Sequence, residues 1–99
     1  MRLYVVVQAA LSTGAKLAQV LHTGVALSLE HPDVFERWGN ERIVVLHDED
    51  LPSIAERLEA AGHRLARWHE PDAPHHGALT AIAVEGAARP DLSTLALER

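Results

Sequence analysis

The sequence contains no cysteine, which excludes disulfide bonds and any zinc site built on thiolates. It also has no long apolar run. Stretches such as LYVVV, of five to seven residues, are far shorter than the roughly 20 residues of a membrane-spanning helix. The N-terminal residues lack the apolar core of a signal peptide. We therefore expect a cytoplasmic protein with no membrane partner.

Acidic residues are missing from positions 1–29, where Arg2 and Lys16 are the charged side chains. All 14 carboxylates follow from Glu30 onward, and the net charge is −5. This acidic total argues against general nucleic-acid binding and against DNA as a partner, because phosphate contacts need clustered Lys and Arg. The first strand and helix are the non-acidic surface on which an anionic ligand could bind.

Four short apolar runs predict β-strands, at residues 3–7, 42–47, 63–69 and 78–84. The alternation of polar and apolar residues in the third run favours an edge position in the sheet. Helices are predicted from Gly14 to about Glu30, near 33–38, and from the DEDLPS segment to Gly62. After the fourth strand we expect a turn and a short helix.

This order of elements predicts an α/β protein with one domain over residues 1–99. Its expected architecture is a three-layer α/β/α sandwich around a mixed four-stranded sheet. Ligands of such sheets bind at the carboxyl ends of the strands. That rule places the site at residues 9–16, with the loop 70–77 able to reach it.

The first predicted helix carries its polar side chains on one side. Between residues 12 and 23, every polar side chain except Thr13 falls within a sector of about 120°. These residues are Ser12, Lys16, Gln19, His22 and Thr23. The sector has no carboxylate, although a solvated stripe on an acidic protein would usually carry one. It fits the lining of a polar cleft, and an ordinary solvated face is the alternative.

The segment GAKLAQVLH (14–22) resembles the helix motif of the type-2, archaeal-type peptidyl-tRNA hydrolases, which has Gly-Lys-x-Ala-x-Gln-x-x-His-Ala. Further similar stretches follow in order along residues 3 to about 97: LYVVVQ, HPDVFERW, RIVVL, and EPD followed by GALTAIAV. The set is most similar to a short bacterial branch of the family. One position departs: the family lysine is Ala15 here, and Lys16 lies about 100° further round the helix.

The resemblance implies a three-layer α/β/α fold, frequent dimers, and hydrolysis of the ester between a peptide and tRNA. It implies that His22, Asp72, Thr80 and, with the register shift, Lys16 are catalytic, and that Gly14, Gln19 and Thr23 bind substrate. Peptidyl-tRNA is the implied partner, together with a homodimer. No cofactor is expected.

The implied chemistry is direct attack by water, because the sequence has no cysteine and no nucleophile elbow. His22 is the expected base, since its ordinary pKa lies near neutral pH. No metal is expected, because the spacing of His69, His75 and His76 matches no zinc pattern. We interpret Trp38 and Trp68 as core or interface anchors. Two other functions stay open: a non-catalytic tRNA- or ligand-binding module, and a small dimeric scaffold.

Overall fold

A computed structural model describes residues 1–98 of the chain; Arg99, the end of the predicted domain, lies outside them. The strands are β1 (Leu3–Gln8), β2 (Ile43–Asp48), β3 (Leu65–Glu70), β4 (Ala78–Glu85) and β5 (Ala96–Leu97). The helices are α1 (Thr13–Glu30), α2 (Pro32–Trp38), α3 (Leu51–Ala60) and the 3-10 helix α4 (Gly86–Leu92). Within residues 1–98, no helix is long and apolar enough to cross a membrane.

The strands form one mixed sheet in the order β3-β4-β1-β2-β5. β1 pairs in parallel with β2 and antiparallel with β4, and β3 and β5 pair antiparallel with β4 and β2. The α/β class and the edge position of β3 are confirmed. The predicted number of four strands is wrong, because residues 96–97 add a fifth. A two-residue strand is too short to produce an alternation pattern in the sequence.

The strand directions bring three loops to the same edge of the sheet. β1 and β2 are parallel, and β3 runs in the same direction because both β1 and β3 are antiparallel to β4. Their last residues, Gln8, Asp48 and Glu70, therefore lie at one edge. α1 starts from this edge, where the side chain of Ser12 caps it by accepting a hydrogen bond from the Ala15 amide.

Helices cover both faces of the sheet. The period of two along a strand sends alternate β1 side chains to opposite faces. Val5 and Val7 pack in the cluster that contains residues of α1 and α2. Tyr4 and Val6 pack in the cluster that contains residues of α3 and α4. The unbroken apolar run of β1 is thus explained by burial on both sides.

The orientation of α1 is unusual for a helix that covers a sheet. Its buried residues are Gln19, Thr23 and Leu27, at 5%, 0% and 0% exposure. Its large apolar residues point to solvent: Leu17, Leu21, Val25 and Leu29 are 67%, 70%, 50% and 77% exposed. Surface helices normally bury the apolar stripe and expose the polar one. α1 therefore turns Gln19 and Thr23 of its polar sector toward the sheet and an apolar ridge outward.

A matched pair of substitutions tests this orientation. Leu27→Ala should lower the free energy of unfolding by about 2–5 kcal/mol, the usual range for a buried leucine. Leu29→Ala, one half-turn away on the exposed ridge, should change it by less than about 0.5 kcal/mol. Urea unfolding of dilute protein measures both values. Equal losses in the two variants would contradict the orientation of α1.

Candidate active site

A buried hydrogen bond joins α1 to the sheet. The Thr80 hydroxyl on β4 donates to Oε1 of Gln19 at 2.8 Å. Both side chains are buried. Burying polar groups is costly unless they are hydrogen-bonded, so this pair fixes the rotation of α1 over the sheet.

An irregularity in β4 aims Thr80 at the helix. Trp68 pairs with Ala81 and His69 pairs with Leu79, which leaves Thr80 as an extra residue in β4. The alternation of side chains is broken at this point: Leu79 packs on the α3 face, whereas Thr80 and the next residue, Ala81, both face α1. β-bulges of this kind re-aim side chains and are frequent beside active sites.

Glu70, the last residue of β3, is a buried carboxylate at the same place. It accepts a hydrogen bond from the Trp68 indole at 3.1 Å and one from the Asp72 main-chain N–H at 3.3 Å. The Gln19 amide lies close enough to Glu70 to help lower the pKa of its carboxyl. Gln19 thus lies between Thr80 and Glu70, and the three residues form a polar cluster between α1, β4 and β3.

The surroundings of Glu70 hold it in the ionised form. The pKa of its carboxyl is lowered, first by the hydrogen bond from Trp68 and further by Gln19, by the Asp72 amide and by the charge of His22. Burial acts in the opposite direction and does not overcome these interactions. A buried, ionised carboxylate therefore lies beside the predicted base.

His22 lies beside this polar cluster, near Glu70. Its imidazole stacks on the Trp68 indole, with ring centroids 4.6 Å apart and an interplanar angle of 15°. Both rings line an open groove of about 370 Å³ whose other walls are mainly apolar side chains of α1. The stack fixes the plane of the imidazole, and His22 itself stays exposed to the groove.

The predicted site residues fall into separate places. His22, Gln19 and Thr80 come together around Glu70. The Asp72 main chain joins this cluster, and its side chain is exposed on the loop that follows β3. Thr23 is fully buried and donates to the Ala66 carbonyl at 3.4 Å, which is a packing contact between α1 and β3.

Lys16 and Gly14 lie outside the cluster. Lys16 forms an ion pair with Glu98, which follows β5 at the opposite side of the sheet from β3. His22 lies beside β3, whereas Glu98 lies beyond β2. Three strand spacings separate β3 from β2, which corresponds to roughly 14 Å. Gly14 is exposed in the first turn of α1, and a Cβ added there would meet nothing within 4 Å. The structure does not bring Lys16 to His22.

Metal ligands are scarce around this cluster. Across residues 1–98, no group of three or more His, Cys, Asp or Glu side chains could hold a metal ion. His69, one of the three histidines considered for zinc, instead places Nδ1 3.1 Å from the Gly77 carbonyl. The chemistry available at the cluster is that of an imidazole, a carboxylate, a hydroxyl and water.

A larger cavity, of about 530 Å³, lies on the α3 face between β1, β2 and α4. Arg2, Arg89 and Ser93 contribute polar groups to its otherwise apolar wall. None of the predicted site residues lines it. The predicted base, His22, lines the other groove, so this cavity is not the candidate site that the sequence indicates.

Two residues of the cluster were missed in the sequence. Glu70 belongs to the Glu-Pro-Asp segment, but the resemblance directed attention to Asp72, two residues later. Its position at the carboxyl end of a predicted strand, directly before Pro71, was the available signal. Trp68 is predicted from the sequence only as a core or interface anchor. Its stacking on His22 depends on the packing of α1 against β3, which the sequence does not specify.

No protein-family model matches the chain and no curated protein matches it either.

The lowered pKa of Glu70 predicts a pH-dependent contribution to stability. The folded-state pKa lies below the ordinary value of 4.5. Ionised Glu70 therefore stabilises the fold above pH 4.5, and this stabilisation is lost as the pH falls through the folded-state pKa. Glu70→Gln should be less stable than the wild type at pH 7, and the difference should shrink below pH 4.5.

Unfolding by urea between pH 7 and pH 3 measures this difference. Glu56→Gln, at an exposed position of α3, is the control and should unfold like the wild type at pH 7. A stability gap between the wild type and Glu70→Gln that stays constant into acid would show that Glu70 is not held ionised by its neighbours.

Proposed function

We propose that this chain hydrolyses the ester bond of peptidyl-tRNA by direct attack of water, with His22 as the general base. The observation that carries the proposal is the hydrogen bond from Thr80 to Gln19 beside the groove of His22. Three residues implied by the family resemblance lie together there, although a helix and a bulged strand contribute them.

The neighbours of His22 suit it to accept a proton from water. When the imidazole takes the proton it becomes positively charged, and the buried carboxylate of Glu70 stabilises that charge. Stacking on Trp68 holds the ring in one plane, which limits the entropy lost on reaching the reactive geometry. In this scheme Gln19 positions Thr80, because its Oε1 accepts the hydrogen bond of the Thr80 hydroxyl, and its amide helps to keep Glu70 ionised.

The groove suits the acyl part of the substrate. Leu21, Val25, Ala26 and Leu29 form an apolar wall beside His22, and such a wall binds peptide side chains by burial. Asp72 is exposed on the loop after β3. In this scheme its carboxylate contacts the polar end of the substrate or the attacking water. The reaction needs no cofactor, and its substrate places the protein in the cytoplasm.

The fold is compatible with this function. Helices on both faces of a mixed sheet suit the three-layer α/β/α sandwich that the resemblance implies. The fifth strand extends the sheet beyond β2 and does not contact the His22 groove.

A second candidate is a tRNA- or ligand-binding module without turnover. The position of Lys16 favours it: this ammonium is bound by Glu98 rather than placed beside His22, and Ala15 occupies the position of the family lysine. The two candidates differ in one measurable property, since the module binds peptidyl-tRNA without releasing the peptide.

Substitution of the base tests the reaction. His22→Ala should slow release of the peptide from peptidyl-tRNA by about 100-fold or more, the usual contribution of a positioned general base. Thr80→Val should also slow release, because it removes the hydroxyl that Gln19 holds. His63→Ala is the matched control, since His63 pairs with Asp91 outside the groove.

Circular dichroism and thermal melting show that each variant is folded before its rate is compared. Full activity in a folded His22→Ala protein would overturn the role of His22. Tight binding of peptidyl-tRNA by the wild type without any release would favour the binding module.

We further propose that the outward ridge of α1 is the surface of a homodimer. The ridge consists of Leu17, Leu21, Val25 and Leu29, and an apolar groove of about 270 Å³ runs beside it. Gly24 and Ser28 leave room in this groove, and Phe35 and Ile43 form its far wall. A ridge and a groove side by side on one face can interlock with a second copy across a two-fold axis.

Charge favours a second copy as the partner. The lining of the groove has no charged residue, so two chains of net charge −5 can meet there without opposing carboxylates. α1 offers a face about 27 Å long by its 18 residues. Phe35 and Ile43 widen that face toward the roughly 800 Å² per partner that stable dimers bury.

A charge placed on the ridge tests the dimer. Leu21→Glu should convert the dimer to a monomer, because it buries an unpaired carboxylate at the centre of the contact. Ala60→Glu adds the same charge at an exposed position of α3 and should leave the dimer intact. Sedimentation equilibrium measures both masses. A wild-type chain that remains monomeric at high micromolar concentration would contradict this surface.

A further inference from the structure

One carboxylate near the end of the chain is held by two basic side chains. Lys16 Nζ lies 3.1 and 2.9 Å from the two carboxylate oxygens of Glu98, and His47 Nδ1 hydrogen-bonds to one of them. All three side chains are partly buried. Across residues 1–98, Glu98 is the carboxylate on which two basic side chains converge.

The carboxylate comes from the least anchored strand of the sheet. β5 has two residues, both exposed, which pair with Leu46 and His47 of β2. A further bond runs from the Glu98 amide to the Val45 carbonyl at 2.8 Å. Lys16 and His47, in contrast, belong to α1 and β2, which are built into the core. Glu98 can therefore leave its two partners without disrupting the packing of the sheet.

The two basic side chains stand where an anion is expected to bind. His47 is next to the last residue of β2, and Lys16 lies in the first turn of α1, so both are at the edge of the sheet where ligands of α/β proteins bind. The positive end of the α1 dipole adds to their field. Lys16 and Glu98 also line a groove of about 240 Å³, whose other walls are Thr13 and the apolar side chains of Leu17, Val20 and Val45; His47 lies outside this groove.

We propose that Lys16 and His47 form a subsite for a phosphate group, and that Glu98 occupies this subsite as an internal anion until a phosphate displaces it. The proposal rests on the proposed function for the source of the phosphate, the tRNA backbone. Phosphate matches the subsite because it presents several acceptor oxygens, and lysine binds it as a compact positive charge.

The separation from the groove of His22 agrees with this assignment. Lys16 and His22 are six positions apart along α1, which corresponds to a rise of about 9 Å. A phosphate bound at Lys16 is therefore held away from the ester at His22. Lys16 acts here as a binding residue for the tRNA strand rather than as a group that touches the reacting atoms.

Removing the internal anion tests the subsite. Glu98→Gln keeps the shape of the side chain and removes its charge, so the apparent affinity for inorganic pyrophosphate and for deacylated tRNA should rise by about tenfold. This is the increase expected when a competing state that keeps a site occupied most of the time is removed. Calorimetry with pyrophosphate and filter binding with tRNA measure the two affinities.

Matched variants separate the subsite from a general charge effect. Glu59→Gln also removes one carboxylate from an ion pair, with Arg67, and should leave both affinities unchanged. Adding Lys16→Gln to Glu98→Gln should abolish the gain. Pyrophosphate and tRNA affinities of Glu98→Gln equal to those of Glu59→Gln would overturn the proposal, even if Glu98→Gln melted at a lower temperature, because Glu98 would then be only a structural contact.

The two sources of phosphate and the two proposals are also distinguishable. A gain with both probes assigns the subsite to the phosphate of tRNA, whereas a gain with pyrophosphate alone contradicts tRNA as the source. Peptide release is measured on the same variants. Tighter binding by Glu98→Gln without release in any variant supports the subsite and contradicts the hydrolase, and release with unchanged binding does the reverse.

Discussion

The rotation of α1 over the sheet is the constraint on which the other features of this protein depend. Gln19 is buried and accepts a hydrogen bond from the Thr80 hydroxyl, and Thr23 is buried and donates to the Ala66 carbonyl. Buried polar groups without partners are costly, so the helix cannot rotate away from these bonds. The same rotation brings His22 to Trp68 on β3, the strand at one side of the sheet, and Lys16 to Glu98, which follows β5 at the other side. It also leaves the leucines of the ridge in solvent.

This single orientation accounts for both the candidate site and the proposed dimer surface. Beneath the helix, Gln19 binds Thr80 and helps to lower the pKa of Glu70, whose carboxylate is held by the Trp68 indole and the Asp72 amide near His22. The apolar ridge is exposed because Gln19 and Thr23 face the sheet instead, and a second copy would cover the ridge. The groove of His22 shares Leu21, Val25 and Leu29 with the ridge, so a second copy bound to the ridge would form one boundary of the proposed substrate groove.

The sequence predicted the elements of the fold better than their rotation. Apolar runs predicted β1 to β4 within a few residues, because burial on both faces produces continuous runs such as LYVVV. Periodicity located the polar sector of α1. It does not show which face meets the sheet, because uncharged side chains such as Gln19 and Thr23 can be buried when they are hydrogen-bonded. The bulge at Thr80 and the two-residue β5 depend on pairing between distant segments, for which no local pattern exists. The grouping of His22, Gln19 and Thr80 was implied by the resemblance alone, and Glu70 emerged only from the folded chain.

The proposed hydrolysis of peptidyl-tRNA can be decided by a direct assay of peptide release. The measurement is single-turnover release of a labelled peptide from peptidyl-tRNA with the wild-type chain in excess, compared with the rate in buffer. If the chain hydrolyses the ester, release is well above the buffer rate and the products are free tRNA and free peptide. Because water attacks directly, no peptide is attached to the protein after an acid quench. A rate equal to that in buffer, with the chain folded and binding the tRNA, would contradict the proposed hydrolysis.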